Sequence, residues 1–171
     1  MRLNFLALTT LWAVAVLASG SHQVSAAESR LSDEREIRAL QARMAKEVSA
    51  RNLDAVMNEY VRGNELFVFD SDLPRQHSGW TAYVADWKLF FDSATMIEAK
   101  PEDLGVTVVG NAAFSHNLEH LVWIRKTDNS RGEQLMSVTD AYHKINGRWL
   151  IVMEHWSLPV VDGKAVLMAR P

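Results

Sequence analysis

The chain has 171 residues, 48% of them hydrophobic and 23% charged, and it contains no cysteine. That balance excludes a disordered polymer, a disulfide-stapled miniprotein and a four-cysteine zinc module, and leaves one globular domain. Lys+Arg 18 against Asp+Glu 21 gives a formal charge of −3, and the basic residues are scattered, so there is no electrostatic footprint for nucleic acid.

The first segment reads as a targeting sequence. Arg2 precedes an apolar run from Phe5 to Ala18, and small and polar residues follow up to Ala26-Ala27. This is the pattern of a secretory signal peptide cleaved after Ala26 or Ala27, with an apolar run too short for a stable transmembrane anchor. The expected organisation is a signal peptide over 1–27 and one domain over 28–171, exported to a periplasm or secreted. Without a disulfide, packing alone must hold that domain.

Ser32-Asp33 precedes Ile37, Leu40, Met44 and Val48, whose spacing of three and four predicts a helix entered through a polar cap and running to about Arg51. Asn52 is placed to cap a short second helix carrying Leu53, Val56, Met57 and Tyr60, with Gly63 as its stop. Residues 65–70 read as a compact strand, and Pro74 and Gly79 bracket a loop. Trp80, Tyr83, Val84, Trp87, Phe90 and Phe91 then recur at helical spacing, predicting a third helix with an aromatic face.

From Leu104 the pattern changes to alternation punctuated by Gly110-Asn111 and Asn146-Gly147, the latter a strong hairpin signature. Strands are expected over about 104–109, 112–126, 133–145 and 148–157. The middle ones are long enough to require bends or bulges. Helices followed by a meandering antiparallel sheet define an α+β class.

At this point Phe67-Val68-Phe69-Asp70, Pro74-Arg75-Gln76-His77-Ser78-Gly79, Thr139, Gly147-Arg148-Trp149 and Glu154-His155-Trp156-Ser157-Leu158-Pro159 carry a resemblance. They resemble the SnoaL-like, ketosteroid-isomerase-related branch of the nuclear transport factor 2-like superfamily, over essentially all of 28–171 including Asp162-Gly163-Lys164-Ala165. The resemblance implies a cystatin-like cone, in which a strongly curved antiparallel sheet wraps around three N-terminal helices and leaves a deep pocket. It also implies a homodimer joined through the sheet. Relatives include isomerases, cyclases, dehydratases and binding modules, so one activity is not implied. The steroid isomerases take an oxyanion-binding tyrosine from the first helix. Here Met44 and Val48 stand there, and no tyrosine does.

The candidate catalytic pair is Asp70 and His155. Alternation places Trp149, Ile151, Met153, His155 and Ser157 on one face, which the resemblance puts in the pocket. An imidazole there titrates near neutrality; the alternative is a structural histidine bonded to a carbonyl or to Ser157. A two-residue turn at Asn146-Gly147 places Val138 opposite His155, whereas a three-residue bulged turn places Thr139 there. The resemblance favours Thr139. Asp70 sits at the expected cone mouth as an abstracting base, or else caps the turn at Ser71-Asp72. Tyr60, Tyr83, Trp87, His120, Thr139 and Ser157 complete the candidate ligand set, the aromatic residues reading first as core, with one or two of them expected at a ligand.

His116-Asn117-Leu118-Glu119-His120 matches H-x-x-E-H, the inverted zinc-peptidase motif. On a strand, residues four apart are separated by about 13 Å, so the motif needs a helix where a strand is expected. No metal or cofactor is assigned. The leading expectation is a cone that binds a small apolar molecule, with cofactor-independent acid-base chemistry of the isomerase or dehydratase kind. A non-catalytic carrier or dimeric assembly module is the alternative, and a zinc hydrolase a remote third.

Overall fold

The computed structural model describes residues 12–161 and 164–165, with side chains over 26–159. Part of the expected signal peptide, residues 1–11, lies outside the described residues, as does Asp162-Gly163 of the closing stretch. The order of elements is α1 (Trp12–Ser49), α2 (Leu53–Met57), β1 (Phe67–Phe69), β2 (Gln76–Ser78), α3 (Trp80–Ser93), β3 (Ala94–Val109), β4 (Ala112–Arg125), β5 (Arg131–Ile145), β6 (Arg148–Ser157), β7 (Val160–Val161) and β8 (Lys164–Ala165). This is the expected α+β class. Among the described residues no helix is long and apolar enough to cross a membrane.

The expected stripe of α1 is buried: Ile37, Leu40, Met44 and Val48 are at most 6% exposed, and each such side chain contributes roughly 1.5–3 kcal/mol on leaving water. The helix does not begin at Ser32-Asp33, however. Asp33 lies inside α1, and its carboxylate accepts hydrogen bonds from Lys144 Nζ and, at 3.1 Å, from Trp149 Nε1. That aspartate ties the helix to the far end of the sheet instead of capping it. Asn52 does cap α2, accepting from the Ala55 amide at 3.3 Å. The aromatic face of α3 packs inward through Tyr83, Trp87 and Phe91.

Six strands form one sheet in the order β2-β1-β6-β5-β4-β3. The pairs are antiparallel except β1 with β6, which run parallel; the chain reaches β1 through the helices, so this contact is not made by a hairpin. A second pairing, β7 with β8, involves two residues from each strand. The sheet bends through register shifts between Met96 and Glu98 and between Glu102 and Gly105 in β3. A further shift lies in β6, where Tyr142 pairs with Ile151 but Ala141 pairs with Met153, so Val152 is an extra residue. Such bulges increase local twist and curl the sheet over the helices.

Asn146-Gly147 forms a two-residue turn between Ile145 and Arg148, with φ of 51° and 79°. Positive φ at both central positions is the geometry that matches strand twist, and Asn-Gly tolerates it best. β3 begins ten residues earlier than expected, because it runs through both shifts and Pro101 before the alternation at 104–109 becomes regular.

Candidate functional site

The extra residue Val152 decides which side chains of β6 face inward. Up to Ile151 the buried set is Trp149 and Ile151, as alternation predicts; beyond the bulge the parity flips, burying Glu154 to 2% exposure and leaving His155 exposed. His155 therefore stands on the convex face, its ring 5.5 Å from that of the half-exposed Phe69. Thr139 does pair with His155, but through the bulge inside β6 and not through a bulged turn. Thr139 is exposed, and Ser157 shares the outward parity of His155. On β4 the inward residues are Asn117, Glu119 and Leu121. His120 faces the other way, with Nε2 2.8 Å from Glu133 Oε1. His120, Thr139, His155 and Ser157 thus leave the expected pocket set. The H-x-x-E-H segment lies wholly within strand β4, which separates its two histidines beyond the reach of a shared ion.

What converges inside the cone is a set of carboxyl and hydroxyl groups. Glu154 Oε1 accepts from Tyr60 at 2.8 Å and Oε2 accepts from Tyr83. Tyr60 comes from the turn after α2 and Tyr83 from the first turn of α3, so three separate elements meet at this carboxyl. Asp140 Oδ2 accepts from Gln41 Nε2 at 2.6 Å, from Tyr142 at 3.0 Å and from Ser115 at 3.2 Å. Asn117 Nδ2 donates to Glu119 Oε2 at 3.0 Å. All of these carboxyls are less than a tenth exposed.

Burial disfavours the charged form of each acid. It lifts Glu154 to about 8, with help from the Asp140 charge and against hydrogen bonds from Tyr83, Trp156 and Tyr60. Burial likewise lifts Glu119 to about 8, opposed by the Asn117 amide. Asp140 rises only to about 6, because Tyr142, Ser115 and Gln41 all stabilise its anion. Near pH 7 the cluster therefore holds one carboxylate beside two carboxylic acids. Burial, and next the Glu154 charge, raise Tyr60 and Tyr83 well above the phenol range, so both remain donors.

The hollow itself is lined by Gln41, Met44, Trp87, Asn117, Glu119, Asp140, Glu154 and Trp156, among others, and leaves about 30 Å³. That is room for roughly two water molecules, against the 300 Å³ and more of a drug-sized pocket. The deep pocket expected from the resemblance is thus mostly filled, with Trp87 and Trp156 among its walls. Three buried polar atoms on lining residues have no hydrogen-bond partner: Trp87 Nε1, Asn117 Oδ1 and Asp140 Oδ1. An unpaired buried polar atom costs about 1–3 kcal/mol, and three on one hollow is a concentration that packing alone does not require.

Of the expected ligand set, Trp87 lines the hollow, while Tyr60 and Tyr83 hold Glu154 from behind. Asp70 lies elsewhere: Oδ1 accepts from the Asp72 amide at 3.2 Å, the turn-capping alternative. Its Oδ2 sits 3.4 Å from His77 Nε2, which is also 3.7 Å from Asp86 Oδ1. Asp140, Glu154 and Gln41 were not singled out as site residues by the sequence reading, and Asn117 and Glu119 entered it only within the H-x-x-E-H segment. Gln41 interrupts the buried stripe of α1, and Asp140 shares parity with Met136, Val138 and Tyr142, so lone polar residues on apolar faces were the available signal.

A curved sheet around three helices, with polar groups gathered at its centre, defines a nuclear transport factor 2-like cone. Comparison with solved structures agrees. A nuclear transport factor 2-like protein of unknown function from Pseudomonas putida KT2440 aligns with TM-score 0.70 and 27% identity, over 82% of this chain and 98% of that one. A superfamily member from Salmonella enterica aligns with TM-score 0.66 and 18% identity, over 76% and 93%. A Streptomyces avermitilis protein of the same family, proposed to be a dehydratase, aligns with TM-score 0.66 and 14% identity, over 76% and 97%. No curated protein matches the chain. The family model of the SnoaL-like domain matches residues 37–161, and the chain belongs to that family.

Proposed function

We propose that the walls of this small hollow part to admit a small, largely apolar carbonyl compound and that the protein moves a proton on it, as a cofactor-independent isomerase or dehydratase does. The observation that carries this reading is the convergence on one hollow of a carboxylate with an unpartnered oxygen, two acids held protonated, and an unpartnered indole N–H. Carboxyls driven apart in pKa by their surroundings mark out acid and base roles. Asp140 is the base, through Oδ1; Glu154 and Glu119 are the proton donors; Trp87 Nε1 is a donor for the ligand oxygen. The dehydratase proposed among the structural neighbours supports the reaction class.

The test is deuterium uptake from D₂O at the α-carbon of cyclohexanone and 4-hydroxy-2-butanone, followed by proton NMR together with the indole resonances of the protein. Catalysed exchange that falls by about 10²-fold or more in Asp140→Asn is expected, the usual range for losing a general base. No exchange and no indole shift with either compound would count against the proposal.

A second reading is that the same hollow, once its walls part, admits a ligand without turnover. It predicts shifted indole resonances and unchanged exchange rates. Export of the domain over 28–171, after removal of a signal peptide, is likewise proposed from the leader pattern. Among the described side chains, residues 26–31 are exposed, so cleavage after Ala26 or Ala27 would remove no described core contact.

A further inference from the structure

Outside the cone interior, the turn after β1, strand β2 and helix α3 bring three potential ligand atoms together. Asp70 Oδ2, His77 Nε2 and Asp86 Oδ1 lie within 4.8 Å of one another. His77 is only 6% exposed, yet its Nε2 has no hydrogen-bond partner and faces both carboxylates, at 3.4 and 3.7 Å. Two carboxylates facing one ring nitrogen with no hydrogen bond between them gather negative charge at one point, which suits a cation held there, whether a proton or a metal ion. A proton serves poorly, because neither contact reaches hydrogen-bond geometry.

We propose that Asp70, His77 and Asp86 bind one divalent first-row transition ion of the Zn²⁺ or Mn²⁺ type. Bonds of about 2.0–2.2 Å place tetrahedral ligand atoms roughly 3.3–3.6 Å apart, close to the two separations observed. The imidazole favours Zn²⁺, the two carboxylates keep Mn²⁺ in range, and the set suits Ca²⁺ or Mg²⁺, which take oxygen ligands, and Cu⁺, which takes sulfur, less well. The site is partly organised in advance. The Asp72 amide holds Asp70 Oδ1 and leaves Oδ2 to His77, while pairing of Val68 with His77 fixes the strand that carries the ring. The Asp86 side chain is about one-third exposed, which opens an entry path and leaves coordination positions for water. The proposal does not rest on the chemistry assigned to the cone interior.

Isothermal titration of the EDTA-treated chain with Zn²⁺, and separately with Mn²⁺, tests it. One equivalent should bind with at least one of the two ions, with a dissociation constant of 10 µM or lower as this proposal's criterion. Affinity should fall at least tenfold in His77→Gln and in Asp86→Asn and be unchanged in Asp128→Asn, which lies in the loop between β4 and β5. Asp86 lies on the exposed side of α3, so Asp86→Asn decides the matter alone if His77→Gln fails to fold. Absence of saturable binding by both ions up to 1 mM, or binding undiminished in folded Asp86→Asn, would overturn the proposal.

Discussion

Glu154 and Glu119 hold protons in the folded chain that they would release in the unfolded one, and the consequence for stability has a definite sign. Both folded values, about 8, lie above the ordinary 4.5. Between those limits the native state binds more protons, so stability is fully present below about pH 4.5 and declines as pH rises through 8. The cost of ionising either group in place is on the order of 5 kcal/mol, at 1.36 kcal/mol per pKa unit. Asp140 adds a smaller contribution of the same sign, lost as pH rises from its ordinary value through about 6. Glu154→Gln keeps the volume and removes the charge. It is expected to flatten the decline in urea midpoint between pH 5 and 9 and to be at least as stable as the parent above pH 8. A parallel decline in the two proteins would show that Glu154 does not carry this proton.

At the scale of elements, the helices and hairpins were legible because their signals are local: spacing of three and four on α1 and α3, an Asn cap on α2, Asn-Gly between β5 and β6. The inward face of the sheet was not. On β4 the residues Phe114, Leu118 and Val122 make the even positions look like the core, yet the concave side takes Asn117, Glu119 and Leu121. On β6 one extra residue reverses the face after Ile151, and neither glycine nor proline marks the place. Alternation is thus a reliable guide only between bulges, and a site built beyond one is assigned to the wrong side. Close packing also sets unequal tolerance along the strands. A Cβ at Gly132 would lie 2.3 Å from Trp123 Cε2, on the strand directly opposite. Gly132→Ala is expected to cost about 1–3 kcal/mol through displacement of that ring, read as a lower midpoint in chemical denaturation. No change in midpoint would mean that Trp123 has room to move.

For the whole molecule, the inverted face of β4 bears on assembly. Phe69 and Phe114 are 43% and 48% exposed on the convex side. The homodimer through the sheet, proposed from the resemblance, would cover them. Phe114→Glu is expected to shift the mass measured by light scattering from that of two chains to that of one. A parent protein of single-chain mass would set the dimer aside.

The central claim is that the closed cone separates its three acids into one base and two proton donors near neutral pH. Carbon-13 NMR of the side-chain carboxyls, followed from pH 3 to 10, measures this directly. The account predicts that Asp140 titrates near 6, with Glu119 and Glu154 near 8 and therefore still protonated at pH 7. Titration of all three between pH 3 and 5, as for carboxyls in water, would contradict it.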